Sequence, residues 1–374
     1  MDKLLPEICK LQYGYAFDSA KFSDSQGIPL IRIRDVVRGY SETYTTERCS
    51  EEYIVNDGDM LIGMDGEFNI AHWKGGNAYL NQRVCRLIPT DDVDPLYLFY
   101  YMPKALKSIE DKTPFVTVKH LSAKELNKII VPLPTREEQH RIAASLRKVD
   151  ELIALRKEQL AKLDQLVKSR FIELFGTYPS NPMGWECGTI RDIVADVRYG
   201  SSRPAVDGGK YPYLRMNNIT YGGELDLTDT KRIDVPENEL DKCTVRRGDV
   251  LFNRTNSKEL VGKTCVYNRD EMMVLAGFVI RVRVTERVLS EFLSAFLNTD
   301  FSKQMLLGMC KAAIGQANIN AQEMQNIGLY LPPIELQRQF VQFKEQTDKS
   351  KLAIQQSLDK LELLKKSLMQ EYFG

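Results

Sequence analysis

The side chains of this 374-residue chain that could act as nucleophiles, bases or metal ligands are few and scattered. Its three histidines, His72, His120 and His140, stand apart, and no HExxH or serine-elbow pattern accompanies them. His140 falls in the first turns of an expected helix, where a surface or packing role accounts for it. Seven cysteines (Cys9, Cys49, Cys85, Cys187, Cys243, Cys265 and Cys310) lie singly with no CxxC pair, so no zinc site or other metal site is expected. An adenine methyltransferase would carry an (N/D)PP(Y/F) motif and a glycine-rich cofactor loop after a strand. The nearest approach, Asn181-Pro182-Met183-Gly184, lacks the second proline and the aromatic residue, and reads as a turn. No GxxxxGK(S/T) loop is present to cradle a nucleotide. Charged groupings such as Glu237 to Lys242 are too common to mark a nuclease, and Arg247-Gly248-Asp249 matches a cell-adhesion tripeptide only by accident. Catalysis is not expected of this chain.

What the chain does carry is an internal duplication. Leu121 to Gly176 repeats as Ile319 to Gly374 at an offset of 198 residues without a gap, pairing VPLPTREEQHRIA with LYLPPIELQRQFV and SRFIELFG with SLMQEYFG. Glu137 thus matches Glu335, Gln139 matches Gln337, Phe175 matches Phe373 and Gly176 matches Gly374. Upstream, Gly27 to Tyr40 resembles Lys210 to Gly223 at an offset of 183, and Val55 to Gly66 resembles Val245 to Asn256 at 190. The second copy therefore carries insertions within a shared frame. A period this long is a duplicated domain, since solenoid repeats run to about 20–50 residues.

The elements follow. Short apolar runs (Leu30–Ile33, Met60–Ile62, Val84–Ile88, Val250–Phe252, Phe278–Val282) alternate with turn signals such as Asn56-Asp57-Gly58-Asp59 and Gly222-Gly223. Gly58-Asp59 and Gly248-Asp249 read as equivalent tight turns entering a strand. Helical stretches are expected at Pro95–Ser108 and Arg287–Met309. Each is followed by a loop, TPFVTVKH or AAIGQANIN, and a short helix, Ala123–Lys128 or Ala321–Asn326. This is an α+β pattern with two globules, 1–132 and 177–331, each followed by a long helix, 133–176 and 332–374. The second globule opens with Trp185-Glu186, which the first lacks, so the first is expected to be shortened at its outermost strand.

The first long helix starts at Thr135 with Glu138 three residues on, a capping-box spacing, and Gly176 is placed to end it. Leu146, Ile153, Leu160, Val167 and Leu174 share one heptad position; Ile142, Val149 and Leu163 share the other, interrupted by Arg156 and Arg170. In the second helix Phe340, Thr347, Ile354, Leu361 and Leu368 align, with Phe343, Leu358 and Leu364 beside them. Two apolar positions at period 3.5 are the seam of a coiled coil. The copies differ at several seam positions, which favours their pairing with each other, antiparallel, over self-association. About 40 residues at 1.5 Å each give a rod of roughly 60 Å, a spacer between two globules.

Composition bounds the rest. The amino-terminal MDKLLPEICK does not read as a secretion signal, and no apolar run approaches the roughly 18 residues of a membrane span, so a cytoplasmic protein with reduced thiols and no membrane association is expected. Lys and Arg total 51 against 51 Asp and Glu. By segment the net charge is −3 over 1–132, +2 over 133–176, zero over 177–331 and +1 over 332–374. Any nucleic-acid surface must therefore be a local patch or be completed by a more basic partner.

The ordered, duplicated set of motifs resembles the specificity subunits of Type I restriction-modification systems. It comprises PLPTREEQHRIA with LPPIELQRQFV, GDMLIGMDG with GDVLFNRTN, and VKHLSAKEL with QANINAQEM, and it covers essentially the whole chain. The resemblance implies two target-recognition domains, each reading half of a bipartite site in double-stranded DNA. It implies an antiparallel pair of long helices that spaces the domains and docks two modification (methyltransferase) subunits, with restriction subunits joining that core. The chain itself would hold no cofactor; S-adenosylmethionine, ATP and Mg would belong to the partners, which methylate adenine and cleave unmethylated DNA. Half-sites one turn apart lie about 34 Å from each other, a separation a rod of roughly 60 Å can hold.

Base reading then calls for Arg or Lys against guanine and Asn or Gln against adenine. In the second domain the candidates are Asn253, Arg254, Asn256, Ser257 and Lys258 after the Gly248-Asp249 turn, Gln316, Asn318 and Asn320 before the short helix, and Tyr199, Ser201, Ser202 and Arg203. In the first they are Asn69, Lys74, Asn81, Gln82, Arg83 and Lys119, beside Asp65-Gly66-Glu67-Phe68, with Tyr13 and Tyr15 facing the Tyr199 loop in the alignment. Arg32 and its repeat partner Arg215 are candidates for holding phosphate. The rival reading is a coiled-coil scaffold joining other proteins without DNA, which the zero net charge favours. A lone methyltransferase is opposed by the missing motifs.

Overall fold

The computed structural model describes residues 1–112, 119–310 and 317–374. The chain divides into two compact units. One comprises Met1–Lys157 with Gln356–Gly374, the other Glu158–Gln355. Each long helix, Arg136–Phe175 or Ile334–Phe373, therefore contributes to both.

In the first unit a four-stranded antiparallel sheet runs in the order Cys9–Tyr13, Val84–Pro89, Met60–Gly63, Asn69–His72. A second sheet orders Phe22–Ser23, Tyr44–Thr45, Ile28–Ile31, Ala78–Leu80 and Ile54–Val55, with Ile28–Ile31 and Ala78–Leu80 parallel. The second unit repeats the plan. Val194–Tyr199, Val279–Val284, Val250–Asn253 and Thr264–Val266 make its antiparallel sheet. Lys231–Ile233, Tyr211–Leu214, Met273–Leu275 and Thr244–Val245 make the other, again with one parallel pair. Met60–Gly63 and Val250–Asn253 are buried along their whole length, which is why they read as unbroken apolar runs. Gly58 and Gly248 enter these strands at φ +91° and +92°, a conformation that favours glycine. The following carboxylates, Asp59 and Asp249, accept from the amides of Asn56 and Arg246 and are ion-paired to Arg86 and Arg283 at 2.9 and 2.8 Å. The glycine-aspartate pairs are thus structural turns.

The expected shortening of the first domain is not found. Asp2–Leu4 pairs with Ile130–Pro132 as Glu186–Thr189 pairs with Gly328–Leu331, so the outermost strand exists in both copies. Other boundaries shift: Ile33 opens a short helix, Ile33–Arg38, and the helical stretch of the second unit is two helices, Ser290–Leu297 and Asp300–Met309. Among the described residues no helix is long and apolar enough to cross a membrane.

The repeated glutamines act as equivalent clamps. Gln139, buried, accepts from the Asp94 amide (2.9 Å) and donates to the Pro134 carbonyl (3.1 Å). Gln337, also buried, accepts from the Leu289 amide (2.9 Å) and donates to the Pro332 carbonyl (2.9 Å). Each fastens the start of a long helix to the start of the helix packed beneath it. Thr135 caps its helix by accepting from the Glu138 amide at 3.3 Å.

In the first unit Ile142, Leu146 and Val149 are buried and Ile153 half-buried, alongside buried Leu358 and half-buried Leu361 and Leu368. Ion pairs Asp150–Lys365 (2.7 Å) and Lys157–Glu362 (3.2 Å) flank them. In the second unit Leu160, Leu163, Val167, Leu174, Phe343 and Ile354 are half-buried and Phe340 and Thr347 buried, with Asp164–Lys351 at 2.7 Å. Arg156 and Arg170 are half-buried at their heptad positions, and the Arg170 guanidinium lies over the Phe343 ring at 5.8 Å. Leu364 is a correction: it is 45% exposed. After Leu361 the heptad takes its four-residue step, which turns Lys365 inward to Asp150 and leaves Leu364 outside.

The last aromatic residues of the two helices finish the cores. Phe373, with half-buried Leu368, Met369 and Tyr372, joins the first unit's core against Tyr97 and Tyr101, at ring distances of 5.5 and 5.7 Å. Phe175 joins the second unit's core against Phe171, Phe292 and Phe340. Truncating such a ring removes its burial and leaves a cavity, typically costing about 3–5 kcal/mol. Phe373→Ala is expected to lower amide-exchange protection in residues 1–157 by that amount while leaving 158–355 near wild type; equal loss in both units would contradict this assignment.

Candidate nucleic-acid interface

In the second unit the candidate residues converge where Thr255–Asn256 pairs with Ala317–Asn318. The Arg254 guanidinium lies over the Tyr199 ring at 4.9 Å, and the Tyr199 hydroxyl accepts from the Ala321 amide at 2.9 Å. Tyr199 ends a strand at Gly200, where a Cβ would lie 2.2 Å from the Leu275 carbonyl oxygen, so only glycine permits this approach. Asn256 is half-buried, and Ser257, Lys258 and Asn318 are exposed. Asn318 Oδ1 accepts from the Thr255 hydroxyl at 3.2 Å and Asn256 Oδ1 from the Ser257 amide at 2.8 Å. Ser202 is exposed close by in sequence to Tyr199, and Gln316 lies outside the described residues.

Several candidates are instead committed to the fold. Asn253 is 0% exposed and its amide donates to the Leu260 carbonyl. Asn320 caps the short helix Ala321–Gln325, its side chain accepting from the amides of Gln322 and Glu323. Ser201 is buried and its hydroxyl accepts from the Arg203 amide. Arg215 is held by Asp229 at 2.8 Å, and Arg203 makes a two-pronged pair with Glu239, whose carboxylate raises the guanidinium pKa. Two lysines that belong to no motif are tied down in this unit: buried Lys263 donates to the Met216 carbonyl and half-buried Lys303 to the Gly262 carbonyl. Burial, then the nearby Lys263 and Lys168 cations, pushes the Lys303 amine down to about 8.

In the first unit Arg32, Asn81, Gln82 and Arg83 line one concave surface of about 460 Å³ with Phe17, Ser19, Phe22, Ile33 and Arg34. Sequence reasoning missed Arg34, which reaches Thr43 at 3.3 Å. Arg32 is the first unit's counterpart of Arg215: each backbone amide donates to the side chain three residues on, Asp35 or Asn218. Their side chains differ, since Arg32 is exposed. Asn81 Oδ1 accepts from the Gln82 amide, and Tyr15 is bridged to Asn81 as Ser201 is to Ala276. Arg83 belongs to a charged cluster, 3.6 Å from Asp65, which receives His120 Nδ1 at 2.6 Å. Lys74 is exposed. Lys119 is a correction, tied to the carbonyl and carboxylate of Glu110 at 2.8 and 3.7 Å, and Asn69 donates to the Glu67 carbonyl within its own turn. Among the described residues no group of three His, Cys, Asp or Glu is placed to hold a metal ion.

The family model of the Type I restriction modification DNA specificity domain matches residues 2–165 and again 182–364, one copy per repeat. The chain belongs to this family. It is 28% identical over 379 residues to the Type I restriction enzyme EcoBI specificity subunit of Escherichia coli, covering 91% of this chain and 78% of the relative. It is 24% identical to the MjaVIII specificity subunit of Methanocaldococcus jannaschii, covering 91% and 87%. Among solved structures, the S subunit of a Type I restriction-modification system from M. genitalium superposes with TM-score 0.58 at 14% identity, covering 100% of this chain and 96% of that one. A chain from a study of assembly and conformational transition of the type I R-M system gives TM-score 0.58 at 19% identity, covering 100% and 97%. These likenesses establish the fold of this specificity-subunit family, and the scaffold reading is not favoured.

The Asp249–Arg283 pair tests the separation of structural from reading residues. Asp249 is 1% exposed and accepts two hydrogen bonds from Arg283 (2.8 and 3.3 Å). Hydrogen bonds to charged groups contribute about 1.5–3 kcal/mol. Asp249→Ala is expected to lower the unfolding free energy read from urea titration by an amount in that range and to leave the base preference of the folded fraction unchanged; altered preference at undiminished stability would move this turn into the reading surface.

Proposed function

We propose that this chain is the non-catalytic, DNA-reading subunit of a cytoplasmic Type I restriction-modification complex, its two units each reading half of a bipartite site. The observation that carries this is the match of one DNA specificity domain to each repeat, with different polar groups on the equivalent loops of a shared frame. The two long helices pair antiparallel as a coiled-coil spacer and dock two modification subunits, with restriction subunits joining that assembly. The antiparallel sense is supported within each unit by Asp150 with Lys365 before Lys157 with Glu362, and by Asp164 with Lys351 before Arg170 with Phe343. S-adenosylmethionine, ATP and Mg belong to the partners. Near-neutral charge on the reading chain fits an assembly in which the partners supply much of the phosphate attraction.

Single-molecule methylome sequencing of a host expressing this chain with its modification subunit is expected to reveal an N6-methyladenine motif of two short half-sites around a fixed spacer. Co-purification of the subunits without such a motif would overturn the DNA reading, and no co-purification would return the scaffold to consideration. Inserting one heptad at matched places in both long helices lengthens the rod by about 10 Å, the rise of roughly three base pairs. The same two half-sites separated by a spacer about three base pairs longer are expected; an unchanged spacer would contradict the role of the helices.

A further inference from the structure

The two units differ at one equivalent position in a way that bears on the bases they read. Arg254 donates its amide to the Phe278 carbonyl (3.0 Å), and its carbonyl accepts from the Ile319 amide (2.9 Å). Met64 occupies the same frame in the first unit, donating to Arg83 (3.1 Å) and accepting from Leu121 (2.7 Å). The next residues are paired alike, Thr255 with Asn318 and Asp65 with His120. Where one copy has a buried methionine, the other has an arginine stacked on Tyr199.

Most other arginines of the second unit are neutralised. Arg203, Arg215, Arg247, Arg281, Arg283 and Arg287 each pair with a carboxylate at 2.7–2.8 Å. Arg254 has no carboxylate partner among the described residues, and residues 311–316, just before the Ala317–Asn318 strand, contain no acidic residue. Among the described residues its Nε is buried without a hydrogen-bond partner, and its terminal nitrogens make a single long contact, to the Gly277 carbonyl (3.5 Å). The stacked ring restricts the rotation of the guanidinium plane, so the fork is held before any ligand arrives.

We propose that Arg254 reads a guanine in the half-site of the second unit, donating to its O6 and N7 edge from a fork set by Tyr199, and that the first unit has no counterpart of this contact. The inference rests on the DNA-reading function above. A planar fork held over the Tyr199 ring suits a base edge; a phosphate needs only a point charge.

The test uses the full chain in complex with its modification subunits, and duplexes in which each G·C pair of the methylated motif is replaced in turn. With wild type, one such replacement is expected to weaken binding roughly 5- to 150-fold through loss of a bidentate contact. Arg254→Met, the residue the first unit carries in this frame, is expected to abolish discrimination at that pair and keep it elsewhere. Arg254→Lys, which keeps the charge without the planar fork, is expected to bind the replaced duplex as wild type does and the cognate one more weakly, reducing discrimination there. Unchanged discrimination in either variant, a uniform loss across all duplexes, which marks a phosphate contact, or a motif with no position relaxed overturns the assignment. If Arg254→Met yields no assembled complex, the Arg254→Lys result decides alone. Failure of wild type to prefer any bipartite site would instead sink the DNA-reading function itself.

Discussion

Neither hydrophobic core is complete within its own repeat. The first unit needs Phe373 and its neighbours from the end of the second long helix, and the second needs Phe171 and Phe175 from the end of the first. Buried aromatic rings are among the largest single contributions to a core, so this reciprocity constrains everything upstream of it. It fixes the length of each helix, because the terminal aromatic must arrive at a core whose position the sheets determine. It also explains why the repeat is most regular, without insertion or deletion, from the short helix to the closing Phe-Gly, and irregular before it.

The polar groups inside this frame divide by what the backbone asks of them. Gln139 and Gln337 satisfy an amide at the start of one helix and a carbonyl before another, a demand both copies make identically. Asp59 and Asp249 satisfy a turn and an arginine. What remains after such obligations differs between copies: Arg254 on Tyr199 with two asparagines in one, Arg83 with Asp65 and His120 in the other. A duplicated scaffold thus carries two unlike surfaces.

Much of this was legible in the sequence. Repeat spacing located both globules and both long helices, since 40-residue helices with a heptad seam leave a signal that no loop imitates. That Asn81, Gln82 and Arg83 share a surface with Arg32, set apart in the sequence as a candidate for phosphate, was not legible, because the two segments stand far apart in the chain. Individual loop side chains were less legible. Asn253 and Asn320 have the amide that adenine recognition calls for, yet one is sealed in the core and the other caps a helix. The same amide serves a backbone donor as well as a base edge, and which it meets depends on contacts distant in sequence. The partners of Arg203, Arg215 and Lys119 were not legible either, because Glu239, Asp229 and Glu110 lie 36, 14 and 9 residues away. Leu364 failed for a local reason, a one-residue choice at a step of the heptad.

The discontinuity of the first unit sets the order in which the chain can mature. Residues 158–355 form a contiguous unit, whereas residues 1–157 wait for 356–374 before their core closes. During synthesis, when domains generally fold amino-terminal first, this chain must do the reverse. Its leading half emerges with the seat for Phe373 open and apolar surface around Tyr97 and Leu146 uncovered, while the trailing half reaches its final packing earlier. For about two hundred residues of elongation the nascent amino-terminal half keeps apolar surface uncovered, the condition that favours aggregation, and its core closes only once Gln356–Gly374 has emerged.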